Sequence, residues 1–89
     1  MVFVTLAKLA PGKGKEFIES LREGIIDQSN VPPEVKILSA YITYGQYDLV
    51  LTCSAPDLKT ANAALKRLLT SGLVSTETLV GQTVEEFIS

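Results

Sequence analysis

Two apolar, β-branched runs joined by a very short connection constrain this chain most. The runs cover residues 35–44 and 47–54, and only Gly45 and Gln46 lie between them. A two-residue connection of this kind is typical of a β-hairpin, because glycine reaches the backbone angles that tight turns need. The sequence therefore predicts an antiparallel pair of strands, the second and third of the chain, near its middle.

A strand and a helix flank the hairpin on each side. Residues 2–8 are short and β-branched, and residues 13–28 have the spacing of an amphipathic helix. After the hairpin, Asp57 is suited to cap a second helix, a fourth strand covers residues 73–84, and residues 85–89 form a short tail. The order β-α-β-β-α-β is that of the ferredoxin-like α+β fold. It predicts an antiparallel sheet in the order 4-1-3-2 with both helices on one face.

The sheet face that carries no helix is expected to be unusually apolar. Strict alternation places Ile37 and Tyr41 on the same side of strand two. On strand three it places Tyr47 on the side of Leu49, Leu51 and Cys53, and Asp48 on the opposite side. Neither side of the two hairpin strands is properly polar, whereas a half-exposed antiparallel sheet normally alternates. The simplest cover is a second copy related by a two-fold axis, which predicts a homodimer shaped as a dimeric α/β barrel.

The composition supports self-association. Apolar residues make up 46% of the 89 residues, and the mean hydropathy is +0.26. No linker divides the chain, so we expect a single domain over residues 1–89. A domain of this size buries a poor fraction of its surface, and a monomer would have difficulty hiding so much apolar area.

The charge and the missing residue types exclude several kinds of site. Eight Lys and Arg against ten Asp and Glu give a net charge of −2, which disfavours nucleic acid as a partner. Histidine is absent and Cys53 is the only cysteine, so we expect no metal and no cofactor held by Cys and His. No apolar run approaches the roughly 20 residues of a membrane span, and no leader-like segment opens the chain, so we expect a cytoplasmic protein without membrane contact.

The hairpin motif Gly45-Gln46-Tyr47-Asp48 and the segment Thr76-Glu77-Thr78 resemble the GYD-domain family, which is named for its Gly-x-Tyr-Asp hairpin. The resemblance covers nearly the whole chain. It implies a small ferredoxin-like protein from a family largely without assigned function. The hairpin is also similar to that of the effector domain of Lrp/AsnC regulators, which implies a dimeric α/β barrel that binds amino acids.

Five side chains are candidates for a ligand site, and each has a structural alternative. Asp48 either bonds backbone amides at the hairpin or binds an amino or hydroxyl group of a small ligand. Glu77 either blocks edge-to-edge aggregation of the sheet or faces a ligand, flanked by Thr76 and Thr78. Tyr41 belongs to the interface strand, where packing is the alternative. Asp48 and Glu77 should lie about two strand spacings apart, roughly 10 Å, which is too far for a shared proton within one chain.

Three other residues of the hairpin have structural interpretations. Gly45 and Tyr47 complete the hairpin motif with Asp48, Gly45 as the turn residue. Cys53 lies in the middle of an apolar strand and is interpreted as an inert small hydrophobe rather than a nucleophile.

Two classes of function remain open from the sequence. The first is a homo-oligomeric module that binds a small metabolite or serves in assembly. The second is a small cofactor-free enzyme of the dimeric α/β barrel type, such as a monooxygenase, isomerase or dehydratase. In that case Asp48, Glu77 and the tyrosines would have to do the acid–base work.

Overall fold

The computed structural model describes residues 1–89 and places helices against one face of a four-stranded antiparallel sheet. The strands are β1 (Val2–Leu9), β2 (Lys36–Ile42), β3 (Leu49–Ser54) and β4 (Val74–Gly81). The helices are α1 (Gly14–Arg22), α2 (Leu58–Ala64), α3 (Lys66–Leu69) and α4 (Val84–Ile88).

The order of the strands in the sheet is β2-β3-β1-β4. This is the predicted order 4-1-3-2 read from the other edge, so the ferredoxin-like arrangement of the sheet is confirmed. β1 lies in the centre, where Thr5 is opposite Leu51 of β3 on one side and Thr78 of β4 on the other. β2 and β4 are therefore the two edge strands.

The core lies between the sheet and the helices. The alternate residues Phe3, Thr5 and Ala7 of β1 are buried, and so are alternate residues of β3. The helices cover them with Phe17 of α1 and with Leu68 of α3. Because every second residue of a central strand is buried, the remaining residues point to the face without helices.

The first helix ends at Arg22, well before the predicted end at residue 28. Gly24 has a φ of 84°, a left-handed conformation that stops the helix, and its carbonyl oxygen accepts a 2.7 Å hydrogen bond from the Asn30 side chain. The apolar spacing continues beyond the helix because Ile25 still packs into the core from an irregular segment. Hydrophobic periodicity alone therefore overestimated the length of this helix.

The second helix begins as predicted but is divided. The Asp57 side chain accepts a 2.7 Å hydrogen bond from the backbone amide of Thr60, which confirms the predicted cap. Hydrogen bonds from Thr60 lower the pKa of Asp57. Leu65, with φ −97° and ψ 8°, separates α2 from α3 while its side chain stays buried.

An irregularity in β2 overturns one prediction about its two sides. The register shifts between Ile37 and Ser39, which makes Leu38 the extra residue of a β-bulge. Ile37 is opposite the buried Cys53, whereas Tyr41 lies on the face without helices. The prediction that Ile37 and Tyr41 share a side was wrong, because one inserted residue reverses the alternation.

The tail after β4 is helical rather than irregular. Thr83 and Glu86 form a capping box, in which each side chain accepts from the backbone amide of the other residue. The hydrogen bonds from Thr83 lower the pKa of Glu86. All residues from 79 to 89 are exposed.

Candidate functional site

The sheet face without helices, which we call the open face, carries two rows of side chains that cross all four strands. The first row consists of Tyr41, Val50, Leu6 and Glu77. The second row consists of Ser39, Thr52, Val4 and Leu79. The β1 side chains and Val50 are only half-buried, whereas Tyr41 and Leu79 are exposed. An apolar band with polar side chains beside it therefore faces outward.

Glu77 lies at one end of the first row, and Tyr47 reaches it from the hairpin. The Tyr47 hydroxyl is 3.4 Å from Oε2 of Glu77, which is long for an O–H···O hydrogen bond. β3 begins at Leu49, so the strand alternation does not extend to Tyr47. The expectation that Tyr47 shares the side of the buried β3 residues was wrong. The structure brings its phenol and the Glu77 carboxylate together across β1.

The Asp48 carboxylate ties the hairpin to the end of β1. Its Oδ2 accepts a 2.7 Å hydrogen bond from the backbone amide of Leu9. The Asp48 amide in turn donates to the carbonyl oxygen of Ala7 at 2.8 Å. Asp48 therefore satisfies a backbone amide, as its structural alternative proposed, although the amide belongs to β1 and not to the hairpin.

The five candidate ligand residues do not form one cluster within a single copy. Thr76 and Thr78 lie on the helix side of β4, opposite Ala7 and Thr5, and the Thr78 hydroxyl is 3.2 Å from that of Thr5. Glu77, between them, points to the open face because neighbouring residues of a strand point to opposite sides.

Tyr41 and Glu77 share the open face but stand far apart. They occupy the two edge strands of the same row, three strand spacings apart, or about 14 Å. A ligand that touches both side chains must therefore lie across the sheet, or meet one of them from each of two copies.

A groove between α1 and the hairpin is the feature that sequence reasoning missed. Its volume is about 230 Å³. The groove is lined mainly by Leu9, Phe17, Ile18, Leu21, Ile42 and Tyr44, with Asp48 at its side. We call it the α1 groove. It lies on the helix side of the sheet, because Ile42 is opposite the buried Leu49. About half of the surface of Ile18 and of Ile42 is exposed in this groove.

Cys53 takes no part in either surface. It is buried among Phe3, Val35 and Ala61, and burial raises the pKa of its thiol. This confirms that Cys53 packs as a small apolar side chain. None of the helices has the length and apolar character needed to cross a bilayer. The structure holds no group of three or more Cys, Asp or Glu side chains arranged to bind a metal ion.

The fold and the hairpin together define a small α+β protein with a four-stranded antiparallel sheet and a Gly-x-Tyr-Asp turn. The family model of the GYD domain matches residues 3–89, and the chain belongs to this family. The predicted family resemblance is thereby confirmed.

Several solved structures are similar to this chain. One is the crystal structure of FFRP-DM1, 25% identical, with a TM-score of 0.52 over 91% of this chain and 97% of that chain. Another is hypothetical protein PHS023 from Pyrococcus horikoshii, 28% identical, with a TM-score of 0.49 over 92% of this chain and 93% of that one. No curated protein matches the chain. The likeness to FFRP-DM1 supports the fold and names no activity.

Proposed function

We propose that this protein is a homo-oligomeric binding module that pairs through the open face and holds a small ligand between the two sheets. The observation that carries the proposal is the first row of the open face, in which the apolar Val50 and Leu6 run directly into the carboxylate of Glu77. An apolar band favours burial, and a carboxylate within it requires a partner once it is buried.

Pairing of two identical faces supplies the burial. A two-fold axis sets each patch against its own copy, so an apolar band on one copy meets an apolar band on the other. Leu79 is 48% exposed in the single chain, and covering it removes a large apolar side chain from water. Part of the high apolar content of so short a chain is then accounted for at this surface.

The same pairing makes Glu77 the centre of the site. A carboxylate that loses its water is costly unless a cation or hydrogen-bond donors replace that water. The Tyr47 hydroxyl supplies one donor at 3.4 Å. We propose that an amino or hydroxyl group of a small metabolite supplies the other. Lys8 and Lys36, which lie on the same face, are the alternative partners from a second copy.

The pairing is tested by two neighbouring substitutions on β4. Leu79→Lys places a charge on the open face, whereas Val80→Lys places the same charge on the helix side at a residue of similar exposure, 52% against 48%. Native mass spectrometry should show dimers or larger assemblies for the unchanged protein and for Val80→Lys, and smaller assemblies for Leu79→Lys. A monomeric unchanged protein at micromolar concentration would refute the pairing.

The ligand is tested in the same spectra. We expect a small molecule to leave the freshly purified assembly on activation, and Glu77→Gln to lose this molecule while it remains oligomeric. If Glu77→Gln instead falls apart into monomers, Glu77 serves the interface through a lysine of the second copy, and the ligand proposal is wrong.

A cofactor-free enzyme is the second candidate, because a phenol and a carboxylate 3.4 Å apart can pass a proton to and from a bound substrate. Incubation of the purified assembly with the molecule it released would distinguish the two functions. A binding module leaves the mass of that molecule unchanged. An enzyme converts it, and Tyr47→Phe should then slow the conversion.

A further inference from the structure

The short helix α4 presents an apolar face that nothing in the chain covers. Val84, Phe87 and Ile88 are 72%, 75% and 74% exposed. Their spacing of three and four residues puts them on one side of the helix. The capping box of Thr83 and Glu86 closes the first turn of this helix. Three large apolar side chains on one side of a capped helix form a contiguous patch. Such a patch is suited to docking, unlike apolar side chains that are exposed singly.

The α1 groove, like the exposed side of α4, is lined mainly by apolar side chains. It is open to solvent between Ile18 of α1 and Ile42 of β2, each about half exposed. A smaller apolar hollow of about 130 Å³ continues along the same edge between Leu21 and Ala40. An apolar helix face laid into this groove would cover both isoleucines.

α4 cannot reach the groove of its own chain. β4 runs antiparallel to β1, so Gly81 lies opposite Val2, while the groove lies beside Leu9 at the other end of β1. These two ends of the sheet are about 23 Å apart along the strand. Gln82 and Thr83 span about 7 Å when extended, and the five residues of α4 add about 8 Å. The two segments together are shorter than the distance between the two ends of the sheet. A helix that occupies the groove must therefore come from another copy.

The charges of the two surfaces are complementary. α4 carries Glu85 and Glu86 and no basic residue. Lys13 and Lys15 flank Gly14, which lines the mouth of the groove, and both lysines are exposed. An acidic helix that approaches this mouth is attracted to it, and the attraction also favours one direction of docking.

The acidic groups near the groove offset part of this positive charge but leave one lysine unpaired. Glu16 is paired with Lys13 at 3.3 Å, which leaves Lys15 without an ion pair in the chain. Asp48 is the one acidic residue that lines the groove, and its carboxylate already accepts from the Leu9 amide. Lys15 is therefore the cation beside the groove that would attract an acidic occupant and repel a basic one.

We propose that α4 of one copy docks by its apolar face into the α1 groove of a second copy, with Phe87 as the anchor and the acidic side chains of α4 towards the lysines. This contact lies on the helix side of the sheet, whereas the pairing proposed above uses the open face. The two contacts are therefore independent, and one copy can make both.

Disulfide trapping between two different variants tests the docking directly. Ser89→Cys places a thiol directly after the last residue of α4, and Tyr44→Cys places one at the rim of the groove, where Tyr44 is 97% exposed. When the two purified variants are mixed and oxidised, a disulfide between them forms faster than by random collision only if α4 of one copy docks near the groove of another. The control partner is Lys59→Cys, an exposed position on α2 outside the groove.

We expect the Ser89→Cys protein to cross-link with Tyr44→Cys much faster than with Lys59→Cys. Adding Phe87→Ser to the first protein should lower this rate about tenfold or more, because an apolar anchor is lost. Adding Glu85→Ser, which removes one acidic group and leaves the apolar face intact, should have a smaller effect. Equal rates with the two partners, or no effect of Phe87→Ser, would overturn the proposal.

The open-face variant separates this result from the proposed function. Leu79→Lys should still cross-link through the groove, because its substitution lies on the other side of the sheet. Loss of trapping with intact pairing would remove only the α4 contact, and loss of pairing with intact trapping would remove only the open-face contact.

Discussion

Asp48 shows how one side chain of the hairpin motif stabilises the fold. Its carboxylate accepts from the Leu9 amide at 2.7 Å, at the point where β1 leaves the sheet. Without that acceptor the partly buried amide would have no partner in the chain. A hydrogen bond to a charged acceptor contributes more to stability than a neutral one, which gives this motif residue a structural role in every copy.

Asp48→Ala should lower the free energy of unfolding by about 1.5 kcal/mol, because it leaves the Leu9 amide unpaired. Glu23→Ala is the control, since Glu23 is an exposed acidic residue with no side-chain hydrogen bond. Urea denaturation of both variants measures the difference. Asp48→Asn keeps an acceptor and should fall between them. Equal stability of the two alanine variants would show that the Leu9 hydrogen bond contributes nothing.

At the scale of elements, Gly24 sets the end of α1. Gly24 adopts a φ of 84°, and a Cβ atom there would lie 2.7 Å from Nδ2 of Asn30. The chain turns away at this glycine, and the short helix leaves the hairpin end of the sheet partly uncovered. A helix that continued to residue 28, as its apolar spacing suggests, would pack differently against β2.

Gly24→Ala should destabilise the protein by about 2 kcal/mol, because the left-handed backbone is strained for alanine and its Cβ atom would displace Asn30. Gly14→Ala, at the start of the same helix, is the matched control. A Cβ atom at Gly14 would meet only Leu9 Cδ2, at an ordinary 3.7 Å. Alanine is the better helix former, so this variant should keep or slightly raise the midpoint of thermal unfolding. A loss at Gly24 no greater than at Gly14 would contradict this account of the helix end.

The β-bulge in β2 is the second element that decides a surface. It moves Tyr41 to the open face and leaves Ile37 opposite the buried Cys53. Bulges arise from how two strands fit together, and no residue in the run 35–44 marks one. Strand order was predictable because turns and periodicities are local signals, whereas this change of face was not.

The whole molecule is extended for its length. Its radius of gyration is 13.2 Å, against about 12 Å expected for a compact chain of this size. Its extents of 45 × 28 × 18 Å show one long axis. The exposed residues 79–89 at the end of β4 are consistent with this shape. A molecule with an open sheet face and an uncovered helix has two surfaces for other copies.

If folding and pairing are coupled, thermal stability must depend on protein concentration. We expect the midpoint of unfolding to rise by about 4 °C for each tenfold increase in concentration, because association favours the folded dimer. Calorimetry over a hundredfold range measures this shift. The Leu79→Lys variant should show a much smaller one, and an unchanged midpoint in the native sequence would contradict coupled pairing.

The sequence by itself determined the order of strands and helices, the hairpin, the Asp57 cap and the family, because each depends on neighbours within a few residues. Only the tertiary structure decided which side chains meet. It joined Tyr47 to Glu77, separated Thr76 and Thr78 from the open face, and left the α1 groove uncovered. These outcomes depend on register, on one bulge and on the end of one helix. Such features are settled by packing between segments distant in the chain, and no local pattern encodes them.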